Sequence, residues 1–266
     1  MATNSLVDSK KVILSLVIAS LPHSLPNLRR CLSSVSALSC AKQIQVILVS
    51  STNLKEELFI HLKELLGSFL LVTMQPEGIY AAYNLGIGRA TGDYIMFLGE
   101  DDILLPGISS LLSDLKTLPI SPDIVASASY FELINKVDNA PRFRWQIVIR
   151  NIVHQSLLYN RNIFCLIQYS ALYNIQADYF LNIRLLSNNS LKYKTYPYLI
   201  SFFSSGGKSS IMPDVQFRRD LPSIMLSSFG VIAYAYVKIR SFLADLLFGS
   251  PNDRFSSSNR LIEPED

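Results

Sequence analysis

Gly78-Ile79-Tyr80-Ala81-Ala82-Tyr83-Asn84-Leu85-Gly86-Ile87-Gly88-Arg89-Ala90-Thr91-Gly92-Asp93-Tyr94-Ile95-Met96-Phe97-Leu98-Gly99-Glu100-Asp101-Asp102 is the stretch that decides the fold. Ile79 to Ala90 predicts a helix, although Gly86 and Gly88 each weaken it by about 1 kcal/mol relative to alanine. Tyr94 to Leu98 is a continuous apolar run of strand length, suited to burial on both faces of a sheet. That strand leads directly into three adjacent carboxylates, Glu100, Asp101 and Asp102.

Upstream, the same alternation repeats. Val12 to Ile18 is an apolar, β-branched strand expected to stop at Leu21-Pro22, because proline cannot donate to a ladder. Leu25, Leu28, Leu32, Val35 and Leu38 recur at helical spacing behind Ser24 and Pro26. Gln45 to Val49 predicts a second strand. Leu54, Leu58, Leu62 and Leu65 mark a helix closed by Gly67, and Phe69 to Thr73 a third strand. Strands alternating with helices predict a mainly parallel sheet with helices on both faces, and such sheets bind ligands at the carboxyl ends of their strands. The acidic cluster falls at that edge.

Composition narrows the function classes. The 266 residues are 49% hydrophobic and 17% charged, with mean hydropathy +0.27, an apolar balance that suits one large domain with membrane or partner contact. A net charge of +3 is spread without long basic runs, which argues against nucleic acid. Cys31, Cys40 and Cys165 form no CxxC pair, so neither a disulfide framework nor a cysteine zinc site is expected, and a reducing cytosol fits. Met1 to Asp8 is polar and the apolar run after it lacks a cleavage signal, so no secretory leader is read.

Adjacent carboxylates repel unless a cation lies between them, and Mg²⁺ or Mn²⁺ takes oxygen ligands of this kind. The alternative is local: Asp101 and Asp102 make a turn before Pro106-Gly107, or cap the next helix.

The order of the whole stretch separates these readings. A glycine-isoleucine-tyrosine start, an asparagine-x-glycine helix, an alanine-x-glycine turn, an apolar strand and a terminal acidic pair together resemble the family 2 glycosyltransferases. Further matches follow in order: Val12 to Ile18, Leu28 to Val35, His154-Gln155-Ser156 with Tyr159 and Arg161, Ala177-Asp178-Tyr179, and Ser205-Gly206-Gly207-Lys208-Ser209-Ser210. The last is similar to a segment of a bacterial surface-polysaccharide subgroup. The resemblance covers roughly residues 11 to 210.

It implies an α/β, Rossmann-like GT-A fold and an inverting transfer from a nucleotide-diphosphate sugar to a saccharide or lipid-linked saccharide acceptor, in surface polysaccharide biosynthesis. By the same resemblance Asp102 is the foremost ligand of Mg²⁺ or Mn²⁺. Asp101 holds the donor ribose or shares the metal, and Glu100 stands at the variable position. Asp178 is the implied general base, with helix-dipole stabilisation in the first turn of a helix through Leu186 as its structural alternative. His154 and Gln155 are candidates for diphosphate or acceptor contact. Asn84 either hydrogen-bonds near the donor or packs within its own helix.

Ala19, Ser20, Ser50 and Ser51 occupy the remaining donor positions, and here the chain departs from the family. Ala19-Ser20-Leu21-Pro22 replaces a proline-threonine-tyrosine-asparagine type of ending. Val49-Ser50-Ser51-Thr52 lacks the acids that usually bind the nucleoside, and Ala81 stands where aspartate is common. The substitutions leave two alternatives to catalysis: a non-catalytic nucleotide-sugar-binding relative, or a membrane-associated interaction protein. Rival motifs fail, since Phe202 stands at the first glycine position of a P-loop and no G-x-G-x-x-G follows the first strand.

The second half is less regular. Asp123 to Ile134 predicts one or two strands, Lys136 to Asn139 a turn, and Phe143 to Ile149 a strand. The expected organisation is a catalytic domain over 1–220, an apolar helical extension over 221–249 and a flexible tail over 250–266. The extension carries Lys238 and Arg240 beside Phe242, Leu243, Leu246 and Leu247, which suits either peripheral contact with the inner face of the cytoplasmic membrane or a long helix covering the sheet.

Overall fold

The computed structural model describes residues 11–20, 25–52, 56–66, 69–204 and 214–248. The expectations at Leu21-Pro22, Ser24, Leu54, Gly67, Ser205 to Ser210 and the tail lie outside the described residues. The chain divides into two compact units, 1–214 and 215–266.

The first unit begins as the apolar runs predict. β1 (Leu14–Ser20), β2 (Ile44–Ser50), β3 (Leu70–Thr73) and β4 (Tyr94–Gly99) are parallel, in the order β3-β2-β1-β4. α1 (Leu25–Ser36), α2 (Glu56–Leu66) and α3 (Ile79–Ile87) connect them. Every residue of β1 is buried, because both faces are covered. Leu14, Leu16 and Ile18 pack in one core with Leu28, Leu32 and Val35 of α1, Leu62 of α2, and Ile108, Leu111 and Leu112 of α4 (Gly107–Thr117).

α3 lies against the opposite face, and its glycines permit the approach. A Cβ at Gly86 would overlap Val17 Cγ1, so glycine here sets the helix-to-strand distance, outweighing its poor helix propensity. In the turn before β4, a Cβ at Gly92 would lie 2.6 Å from the Ser15 backbone nitrogen. The Ser15 hydroxyl accepts from Thr91 N at 3.1 Å and Gly92 N at 2.8 Å, tying that turn to β1.

Beyond β4 the sheet becomes mixed. β5 (Ile103–Leu104), β6 (Ile124–Phe131), β7 (Lys136–Asp138), β8 (Leu157–Asn160) and β9 (Tyr193–Phe203) extend it as β4-β8-β6-β9-β5, with β7 paired to β6. β6 and β9 are parallel, whereas β8 runs antiparallel to β4 and β6. α5 (Ala177–Ser187) stands between β8 and β9 in sequence.

Two local expectations are corrected. Phe143 to Ile149 alternates like a strand, but Arg144–Val148 is a 3₁₀ helix that buries Ile147 and leaves Phe143 and Trp145 exposed and stacked, with ring centroids 6.3 Å apart. Lys136 to Asn139 is not the turn. The chain reverses just before it, where Asn135 takes φ 49°, and Lys136–Asp138 forms β7. The C-terminal extension is helical as expected and consists of two helices, α6 (Val215–Phe229) and α7 (Val231–Phe248), separated by Gly230 at φ 83°. No described helix is long and apolar enough to cross a membrane.

Candidate active site

Parallel register brings the carboxyl ends of β1, β2 and β4 together. Ser20 pairs with Ser50 and Ala19 with Gly99, so the four donor-side positions and the acidic cluster share one edge of the sheet. Asp102 is buried. Its Oδ2 accepts from Gly99 N and from Gln155 Nε2, each at 2.9 Å, and its Oδ1 accepts from Ser204 N at 3.3 Å. Burial, and next the charge of Asp101, push its carboxyl up to about 6 from 3.8, against the opposing pull of Gln155, the Gly99 amide and His154.

The neighbouring acids are fixed differently. Glu100 Oε2 accepts from the Ser20 hydroxyl at 2.6 Å. Arg30 donates at 2.8 Å to the Asp101 carbonyl, not its carboxylate, and Ser204 Oγ donates to the same carbonyl at 2.6 Å. A Cβ at Gly99 would lie 2.6 Å from Asp101 Oδ1 and 3.3 Å from Asp102 Oδ2, which shows how closely the two carboxylates converge there. Burial and the three carboxylates also raise the Cys31 thiol well above its ordinary range, so it stays a neutral thiol donating to the Gly99 carbonyl at 3.7 Å.

These residues fit a divalent cation in an open site. Among the described residues no three acidic, histidine or cysteine side chains form a closed ligand set. Mg²⁺, however, is commonly held by one or two carboxylates and completed by substrate phosphates and water. An ionised carboxylate offers about four lone-pair positions. Protein donors fill three on Asp102, two on Oδ2 and one on Oδ1, leaving acceptor capacity on Oδ1.

A second carboxylate lies within reach of the same segment. Asp178, in the first turn of α5, accepts from Asn151 Nδ2 on Oδ2 at 2.7 Å, and its Oδ1 lies 3.0 Å from the Tyr80 hydroxyl, whose single proton is shared between that oxygen and the Ile175 carbonyl at 2.5 Å. Burial and the nearby Asp178 charge raise the Tyr80 phenol well above its usual range, which keeps it a donor. Asn182 donates onward to Asn151 Oδ1 at 3.2 Å and accepts from the Tyr159 hydroxyl at 2.7 Å, so Asp178 heads a buried polar chain. Asp214 Oδ2 accepts from Ile175 N and Gln176 N, fixing the entry to α5.

His154 and Gln155 link the two centres. Gln155 reaches Asp102, while His154 Nδ1 lies 3.7 Å from Asp178 Oδ2 and its Nε2 lies 3.2 Å from the Tyr83 hydroxyl. Tyr83 packs on Phe97 of β4 with ring centroids 4.8 Å apart, which anchors this arrangement to the sheet. Asn84, by contrast, donates to the Tyr169 carbonyl at 2.9 Å and accepts from the Tyr169 amide at 3.0 Å, so its side chain holds a loop. Ser50 Oγ is likewise turned onto Thr52, accepting from its amide and donating to its carbonyl, while Ser51 is partly exposed. Sequence reasoning missed Tyr80, Asn151 and Arg30. Tyr80 sits in the glycine-isoleucine-tyrosine start and was the one with a signal.

In an open α/β sheet of this kind ligands bind at the carboxyl ends of the parallel strands, which is where these carboxylates stand. Residues 15–180 match the family model for Glycosyl transferase family 2, more than half of the chain, and the protein belongs to that family and is a glycosyltransferase. It is similar to PGL/p-HBAD biosynthesis glycosyltransferases of Mycobacterium bovis (strain BCG / Pasteur 1173P2) and Mycobacterium tuberculosis (strain ATCC 25618 / H37Rv). Each is 29% identical over 210 residues, covering 72% of this chain and 77% of the relative. Among solved structures, S. aureus TarS 1-349 in complex with UDP-GlcNAc shares the fold with TM-score 0.69 at 11% identity, over 91% of this chain and 77% of that one. The complex of the same protein with UDP gives TM-score 0.65 at 10% identity, with the same coverage.

Proposed function

We propose that this glycosyltransferase moves a sugar from a nucleoside-diphosphate donor to a hydroxyl of a saccharide or lipid-linked saccharide, with inversion, at the cytoplasmic face of the membrane during cell-surface glycan assembly. The observation that supports this reading is the bridge made by adjacent residues, Gln155 on Asp102 and His154 beside Asp178, which links the carboxylate proposed to hold the metal to the carboxylate proposed as the base.

Each part has a chemical task. Asp101 and Asp102, with Glu100 beside them, would hold Mg²⁺ or Mn²⁺, which when bound neutralises the diphosphate. Ala19, Ser20 and Ser50 are buried at the donor edge, and the partly exposed Ser51 beside them would face the nucleoside. Asp178 takes the proton of the acceptor hydroxyl as that oxygen bonds to the anomeric carbon. The bond from that carbon to the phosphate oxygen breaks, and the nucleoside diphosphate leaves with the bonding pair. Tyr80 and Asn151 occupy one position on each Asp178 oxygen, orienting the carboxylate while leaving lone pairs for the incoming proton. The relatives named for PGL/p-HBAD biosynthesis and the neighbours solved with UDP and UDP-GlcNAc support a glycosyl transfer of this kind and the donor class.

The test is release of nucleoside diphosphate from a panel of donors in the presence of Mn²⁺ and glycolipid acceptors, with the product anomer read by NMR. Release that requires both Asp102 and Asp178, with an inverted product, is the expected result. A second reading, donor binding without turnover, is favoured by the inward turn of Ser50 at a position where the family carries an acid. Saturable binding with no release across the panel would establish it.

A further inference from the structure

We infer that His154 is a positioning residue for Asp178, held as the Nδ1–H tautomer by the Tyr83 hydroxyl. The hydrogen bonds around the imidazole assign the tautomer. Tyr83 is fully buried, and among the described residues its hydroxyl pairs with His154 Nε2 at 3.2 Å. Burial, and next the charges of Asp102 and Asp178, raise the phenol well above its usual range, so it keeps its proton. A buried O–H needs an acceptor, and the lone pair of an unprotonated Nε2 supplies one. The proton of the neutral ring then sits on Nδ1. That nitrogen is buried, has no hydrogen-bond partner among the described residues, and lies 3.7 Å from Asp178 Oδ2. The opposite tautomer fails twice: it strands the Tyr83 proton and turns the Nδ1 lone pair towards a carboxylate oxygen. A doubly protonated ring strands the same Tyr83 proton.

The surrounding elements hold the ring in this orientation. Tyr80 and Tyr83 stand three residues apart on α3 and share a face, so Tyr80 meets Asp178 Oδ1 directly while Tyr83 reaches the Oδ2 side through His154. The 3₁₀ turn His154–Ser156 fixes the backbone, with Leu157 N donating to the His154 carbonyl. Asn151 already donates to Oδ2 at 2.7 Å, so an Nδ1–H aimed at the same oxygen leaves Oδ1 to receive the acceptor's proton. The 3.7 Å gap is longer than a hydrogen bond, as is common for a catalytic pair before its substrate binds. His154 thus orients the carboxylate and favours its charged form without changing its own protonation. That role rests on Asp178 being the base of the proposed function; the tautomer does not.

The experiment is a long-range ¹H–¹⁵N correlation spectrum of the full chain labelled with ¹⁵N-histidine, at pH 8 and without metal, donor or acceptor. The His154 signals are those missing from His154→Asn. Wild type is expected to show a protonated Nδ1 and an unprotonated Nε2. Tyr83→Phe, which removes only the hydroxyl, should return the ring towards the Nε2–H form that a free histidine side chain favours. In single-turnover transfer, His154→Leu should be slower by about 10²-fold, the scale for a misplaced catalytic group, with nucleotide affinity unchanged. His154→Asn, whose amide N–H stands near the place of Nδ1–H, should recover most of that rate. A wild-type ring carrying its proton on Nε2, or on both nitrogens, would overturn the inference. Equal rates for the two His154 variants would overturn the positioning role, as would a loss of nucleotide affinity in His154→Leu, which would assign the residue to the diphosphate. Wild type that transfers no sugar from any donor would remove the proposed function and this role with it, while the spectrum, recorded without substrate, still decides the tautomer.

Discussion

Gln155 donates from Nε2 to Asp102 Oδ2 at 2.9 Å, across 53 residues of sequence, and ties the acidic end of β4 to the segment that faces Asp178. Removing this donor leaves Asp102 buried with fewer groups to compensate its charge. Gln155→Leu should therefore cost about 1.5–3 kcal/mol of stability at pH 8, the range for a hydrogen bond to a charged group. The loss should be smaller at pH 5, where Asp102 is largely protonated. Urea unfolding at the two pH values checks this, and equal losses would contradict the charge argument.

The Asp102 carboxyl also sets a direction for pH dependence. Its folded value, about 6, exceeds 3.8, so between those values the folded state holds more protons than the unfolded state. Stability conferred by the neutral form is present at low pH and lost as pH rises through about 6, by on the order of 3 kcal/mol. The stability difference between wild type and Asp102→Ala should shift by that amount between pH 4 and pH 7, to the disadvantage of wild type at the higher pH. Saturating Mn²⁺ and nucleoside diphosphate should reduce the shift.

Asp178→Asn should lower kcat by about 10²- to 10⁴-fold while leaving nucleotide affinity unchanged, as expected for loss of a general base. Tyr80→Phe removes one orienting donor and should lower kcat less than Asp178→Asn does. Single-turnover rates and nucleotide titrations separate these effects. An Asp178→Asn variant with normal turnover would assign the residue to helix stabilisation alone.

Gly99→Ala tests the convergence of the carboxylates. Its Cβ would press on Asp101 Oδ1, a side-chain end that can rotate away, so the fold should tolerate the change while Asp101 is displaced. The expected outcome is about tenfold or greater loss of cation-dependent nucleotide affinity, with a melting temperature close to wild type. Unchanged affinity would show that the Asp101 carboxylate takes no part.

Much of the first half was legible because parallel strands buried on both faces read as unbroken apolar runs, as in Leu14–Ser20 and Tyr94–Gly99. The glycines of the motif were legible as a pattern, but their cause, the approach to Val17 and to the Ser15 backbone, appears only in three dimensions. Phe143 to Ile149 misled because alternation over seven residues does not distinguish a half-buried strand from a 3₁₀ helix with one buried side chain. Asn151 and Tyr80 reach Asp178 across 27 and 98 residues of sequence, separations at which no local pattern operates. Asn84 was legible as a motif residue, while its engagement with Tyr169 was not.

The most direct test of the central claim is thermal unfolding of wild type and Asp102→Ala with Mn²⁺ and a panel of nucleoside diphosphates. A ligand that binds only the folded state must raise its melting temperature. The account predicts a rise for at least one nucleotide that requires the cation and disappears in Asp102→Ala. No rise with any nucleoside diphosphate at millimolar concentration, or an equal rise in the variant, would contradict a donor site built on Asp102.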